Sequence, residues 1–291
     1  QAEDGIRDVE RSRGLGDVYK RQLLLLSLSL VFFLALLNLA KSQSPAQFYE
    51  QAWFYWKNRS QPEQAKKALE LFKKSAEQAK TNEDYWVQLS FAYFWLGEIT
   101  PQKQKKERIE YYEKGEASAL KAIELNPQSV GGNFWAVVNN GRATQLRGVL
   151  SGTFNLGLCL KNMTIVAIQD PEYYYGGVYR FWGRFIYEIP SIGRRIARFR
   201  LEDSVYFYRR SLEVEPNFFM TRVYLAETYL ALGERKKAYQ ELVWVLSHPA
   251  DILPEAEPEN LLEQKHAWEL LVREFGEESL KKIKKEGGKW Q

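Results

Sequence analysis

The sequence predicts an all-α fold, a tetratricopeptide-repeat-like α-solenoid of antiparallel helix pairs with an irregular helical middle section. Three observations carry this. Apolar residues recur at helical spacing nearly throughout, without strand-like alternation. One clear helix–turn–helix repeat begins at Thr221. Weaker copies close on Glu124-Leu125-Asn126-Pro127 and Glu213-Val214-Glu215-Pro216.

Taken in order, Ser44-Pro45-Ala46-Gln47 opens the first helix, with a capping Ser, Pro at the first helical position and Gln two residues on. Gln61-Pro62 and Thr100-Pro101 read as further starts. Phe48 to Trp56 with Ala65, Leu69, Phe72 and Ala76 forms the first unit. Trp86, Leu89, Ser90 and Tyr93 pair with Gly115, Ala119 and Ala122, separated by a charged insertion, Glu98 to Glu107. Ser204, Tyr208 and Ser211 supply the second helix of a later unit. In the clear copy, Leu225, Ala226 and Tyr229 face Ala238, Leu242 and Val245 across a turn at Gly233. Small residues at 226 and 238 let two helices approach closely, as in the tetratricopeptide unit of ~34 residues. A single unit cannot bury its apolar face, so stacking is obligatory.

Neither methionine, Met163 or Met220, precedes the apolar run, and Asp17 to Gln22 is similar to a translated sequencing-library adapter. Residues 1–22 are therefore read as a non-native leader. Leu23 to Ala40 carries no charge, which fits a signal peptide or a membrane anchor over 23–42. Residues 43–280 form one solenoid, and 281–291 a basic C-terminal tail. A net charge of +4 gives no general attraction to nucleic acid. One Cys and two His leave no paired-thiol metal site and little material for catalysis. No enzyme, cofactor or metal is expected.

The middle departs from the repeat. Asn133 to Arg142 is an apolar helix interrupted by amides; Asp170 to Gly183 holds Tyr173-Tyr174-Tyr175-Gly176-Gly177 and Arg180; Tyr187 to Pro190 follows. Asp251-Ile252-Leu253-Pro254-Glu255 then leads into Pro258-Glu259-Asn260 and on to Lys265. Together these segments resemble the TRAP-transporter T-component family, over most of residues 44 to 275. The resemblance implies a periplasmic, non-catalytic protein that docks the solute-binding subunit of a tripartite transporter. It also implies self-association as a trimer. No lipid-anchoring Cys follows the apolar run, which departs from many relatives.

Candidate ligand- or partner-binding residues are Trp135, Asn139, Asn140, Arg142, Tyr175, Tyr179, Arg180 and Trp182. Amides and guanidinium groups in apolar helices need partners, and a small apolar or acidic ligand in an internal cavity is one. Backbone bonds, structural ion pairs and helix–helix packing of the aromatics are the other. Asn139, Tyr175 and Arg180 are expected to share one cavity. A general cell-envelope assembly scaffold is a third class of function. Arg194, Arg195, Arg198 and Arg200 make a basic stripe that suits a solvated face or an acidic partner. Cys159 reads as a small buried hydrophobe. His266 shares a helical face with Glu269 but lacks a third metal ligand.

Overall fold

The computed structural model describes residues 21–33, 43–148 and 156–279. The chain divides into two compact units, Gln1–Ser44 and Pro45–Gln291. In the first, residues 21–33 form helix α1. Much of the leader (1–20 and 34–42) and the whole basic tail lie outside the described residues. Among the described residues, no helix is long and apolar enough to cross a membrane.

The second unit is helical, and among its described residues no strand occurs. The helices are α2 (Pro45–Trp56), α3 (Pro62–Gln78), α4 (Glu83–Ile99), α5 (Lys105–Leu125) and α6 (Val130–Arg147). There follow α7 (Leu156–Gln169), α8 (Tyr173–Glu188), α9 (Ser191–Ile196) and α10 (Leu201–Val214). The last are α11 (Phe219–Ala231), α12 (Arg235–Ser247) and α13 (Glu257–Phe275), the final two joined through 3-10 turns at Ala250–Ile252 and Pro254–Ala256. Adjacent pairs pack as the α-solenoid requires: α2 on α3, α4 on α5, α5 on α6, α8 on α10 and α11 on α12.

Local chemistry sets these boundaries. Pro62 occupies the start of α3 beside an extended Gln61. Asn82 accepts the Tyr85 amide at 3.3 Å to cap α4, and Ser129 accepts the Gly132 amide at 2.9 Å to cap α6. Thr100-Pro101 is not a helix start. Thr100 is extended and closes α4, donating its amide to Leu96, because the residue before proline is barred from helical backbone. The charged insertion also shrinks: Glu98 belongs to α4 and Glu107 to α5.

Three larger cores follow one another, and a smaller fourth joins Phe218, Met220 and Ala256 against Tyr174 and Tyr175. The first joins Trp56, Phe72, Trp95 and Leu96. The second joins Phe94, Tyr112, Phe134, Trp135 and Met163. The third joins Tyr208, Phe219, Leu225, Leu242 and Leu271. The repeat's expected small contacts, Ala226 and Ala238, are both fully buried.

Candidate functional site

Helix α8 begins with an unusual turn. Tyr174, Tyr175 and Gly176 adopt left-handed φ of 49°, 59° and 67°. For an L-residue that conformation costs about 1–2 kcal/mol. Two groups of contacts hold it. The Tyr174 ring packs against Phe91, Trp135 and Phe218, while Tyr175 stacks on Phe218 at 4.7 Å. Arg180 then donates from both terminal nitrogens, to the carbonyls of Tyr175 and Tyr174, each at 2.9 Å. At Gly176 a Cβ would lie 3.1 Å from the Ser211 backbone, so the turn also needs a residue without one.

Beyond this turn, helices α6, α8, α9, α10 and α11 border a cavity of about 860 Å³ that is open on one side. Phe134 and Val138 come from α6, Phe181, Trp182 and Phe185 from α8, Ile196 from α9, Phe207 from α10 and Met220 from α11. Leu156 and Leu160 of α7 line it too and are about half exposed. The volume and the apolar wall are those of a ligand pocket, with few polar groups to fix orientation.

Three arginines reach this wall, and their partners differ. Arg142 bonds Glu98 at 2.9 Å and the Tyr224 hydroxyl at 2.7 Å. Burial opposes its charge, but Glu98 and Tyr224 more than offset that, so its pKa rises well above the usual arginine value. Arg184 pairs with Glu227 and, at 2.6 Å, with Glu188. Burial again opposes the charge, and Glu227 leads the groups that raise the pKa. Among the described residues, no carboxylate lies within 4 Å of Arg180. It is 4% exposed, lies 4.4 Å from the Phe218 ring centroid, and has its pKa lowered by burial. Arg180 is thus a buried cation contacted by carbonyl dipoles and aromatic faces, with Glu263 acting on it at longer range.

Of the eight candidates, Arg142, Arg180 and Trp182 line the cavity. Trp135 is buried one layer back and donates to the Tyr173 hydroxyl at 3.1 Å. Asn139 is buried against Gly115, donating to the Trp135 carbonyl at 2.9 Å and the Ser90 hydroxyl at 3.2 Å. Asn140 donates to Glu116. Tyr175 serves the left-handed turn, and Tyr179 lies under Arg210. Asn139, Tyr175 and Arg180 therefore do not meet on one cavity wall. Packing and internal hydrogen bonds hold the first two, with Asn139 Oδ1 left without a partner among the described residues.

Other expectations resolve locally. Arg194 donates to the Ile186 and Tyr187 carbonyls at the end of α8 and, at 2.6 Å, to Ile189 just past it, a helix-capping role. Cys159 is buried, and burial pushes its thiol up to about 12. His266 contacts Glu263 at 3.3 Å, one turn back, rather than Glu269. Sequence reasoning missed Phe94, Arg184, Phe207 and Met220. Arg184 lies four residues from Arg180 on the same helical face, which is a usable signal. Phe207 sits one residue off the Ser204–Tyr208–Ser211 stripe and looks like surface in a repeat alignment.

The segments that carry the transporter resemblance have structural duties. Asn260 accepts the Phe219 amide at 2.9 Å and donates to the Asn217 and Ala250 carbonyls. Glu259 receives Arg59. Among curated proteins none matches the chain. Residues 49–265 match the family model described as Regulator of microtubule dynamics protein 1-3. That match overturns the TRAP-transporter T-component resemblance, and with it the solute-binding subunit as partner, the trimer inferred from that likeness and the role in solute transport. Stacked helix pairs and their proline-terminated ends are imposed by the repeat, so they do not discriminate between families that share it. The chain belongs to the regulator of microtubule dynamics protein 1-3 family.

Proposed function

We propose that this chain acts in the regulation of microtubule dynamics, as its family's description states, and that it works by binding rather than by catalysis. The α6–α8–α9 cavity is its ligand site. One observation carries this: stacking of the repeats leaves an apolar space of about 860 Å³ beside a buried Arg180 that has no ion-pair partner among the described residues. Such a site suits an elongated apolar molecule with an acidic or carbonyl end, its tail on Phe181, Phe185 and Phe207. The exposed Ile192 and Ile196, 61% and 79% accessible, extend the apolar surface past the mouth. The uncharged run Leu23–Ala40 serves as a targeting signal or an anchor, as its length suggests.

The test uses the full chain, purified tubulin and GTP, with growth and shrinkage of single microtubules followed by microscopy. Wild type is expected to change at least one rate or transition frequency, and Gly141→Leu, which fills the cavity, to reduce the effect. No change with wild type overturns the reading. An equal effect from Gly141→Leu removes the cavity from it.

A further inference from the structure

A second pocket, of about 490 Å³, lies on a different part of the unit, where the N-terminal ends of α4 and α6 meet the α7–α8 junction. Glu83, Asp84 and Asp170 line it together with Tyr49, Tyr85, Tyr173 and Gln88. None of its lining residues is cationic, and none of the three carboxylates has an ion-pair partner among the described residues. Glu83 accepts the Asn126 amide at 2.7 Å, and Asp170 accepts the Glu172 backbone amide at 3.1 Å. These neutral donors leave the negative charge in place.

Acids in the first turn of α4 complement its helix dipole, which accounts for Glu83 and Asp84 by themselves. It does not account for Asp170, which comes from another connection and faces the same space. Nor does it account for Gln88. That side chain is 9% exposed, lines the pocket, and its buried Nε2 has no hydrogen-bond partner. An orphan buried donor calls for an acceptor, from water or from an occupant of the pocket. The carboxylates act on their neighbours at short range. Burial first, then Asp170 and Asp84, push Tyr173 up to about 12; burial first, with a smaller contribution from Asp84, raises Tyr49.

We infer that this pocket binds a lysine or arginine side chain on a basic peptide segment of a protein partner. The cationic head sits between Asp84, Asp170 and Glu83. Its aliphatic stem lies along Tyr49, Tyr85 and Val87, as long basic side chains do on apolar surface. The segment's own peptide carbonyl accepts from Gln88 Nε2. A lone metal ion or amine satisfies the acids but leaves that donor empty, so a peptide is the occupant that answers both features. This reading is independent of the apolar cavity and survives its failure.

The test is fluorescence anisotropy on the full chain with three fluorescein-labelled hexapeptides: alternating alanine–lysine, alanine–arginine and alanine–glutamate. The two basic peptides are expected to bind, more weakly as salt rises, and the acidic one not to bind. Asp84→Asn with Asp170→Asn is expected to weaken binding by roughly fivefold or more. Gln88→Leu removes an orphan donor, so it is expected to weaken binding while leaving the melting temperature unchanged or higher. Binding of the glutamate peptide, no binding of either basic peptide, or equal affinity in the double carboxamide variant overturns the inference. So does a Gln88→Leu protein that keeps full affinity.

Discussion

Arg59 and Glu259, 200 residues apart, form a buried ion pair at 2.6 Å that ties the turn after α2 to the first turn of α13. Arg59 also donates to the Glu255 carbonyl at 2.8 Å, and Leu262 packs on the first repeat's core. The Trp95 indole donates to the Arg59 carbonyl at 2.8 Å, so the junction is fixed from α4 as well. The last helix therefore returns to the first repeat, and the solenoid of the second unit closes on itself.

Removing one partner leaves the other charge buried and alone. Arg59→Met is expected to cost about 3–5 kcal/mol by urea denaturation. Burial already raises the Glu259 pKa despite Arg59, so the variant's Glu259 takes up its proton at still higher pH. Arg59→Met with Glu259→Met is expected to recover most of the loss. A double variant as unstable as the single one contradicts this account of the closure.

Leu225→Ala is expected to cost about 2–5 kcal/mol, the usual range for a buried leucine. Hydrogen exchange reads where the damage goes. Protection should fall most in α10 to α13, which share its core, and least in α3 and α4. A uniform loss along the chain contradicts nearest-neighbour stacking.

The left-handed turn gives a third prediction. Gly176→Ala places a Cβ against the Ser211 backbone at a φ of +67°, and about 1–3 kcal/mol of stability should be lost. Gly141 behaves oppositely. Nothing lies within 4 Å of a Cβ there, so Gly141→Ala should gain about 0.5–1 kcal/mol from helix propensity. A destabilised Gly141→Ala would mean that the cavity wall is filled.

His266 supplies a pH dependence. Burial lowers its pKa, but the Glu263 hydrogen bond and charge outweigh this, and the net shift is upward from 6.5. A group raised in the folded state contributes stability fully below the unfolded pKa, and loses it as pH rises through the folded one. Wild type should therefore exceed His266→Gln in melting temperature by more at pH 6 than at pH 9. An equal gap at both pH values contradicts the assignment.

Residues that obey local rules carried most of the fold. Pro45 and Pro62 mark helix starts because proline's missing amide is harmless there, and Gly233 marks a turn because its φ is +78°. Thr100-Pro101 has the same dipeptide chemistry, but there it ends a helix: Thr100 is extended and α4 runs on to Ile99. In the site, Arg180 and Trp182 stood out as a cation and a large ring on a helix already rich in both. Asn139 stood out equally and proved structural: the Trp135 carbonyl one turn back is a partner that helical spacing reveals, whereas Ser90, 49 residues away, is not. Phe207 and Met220 reach the cavity from helices whose own pattern is that of an ordinary repeat.

The most direct measurement of the central claim is fluorescence titration of the full chain with 8-anilinonaphthalene-1-sulfonate, an apolar molecule with one acidic group. Wild type should bind one probe, Arg180→Met should bind it more weakly, and Gly141→Leu should bind it least while melting no lower than wild type. Equal binding by all three proteins would contradict a ligand site in the α6–α8–α9 cavity.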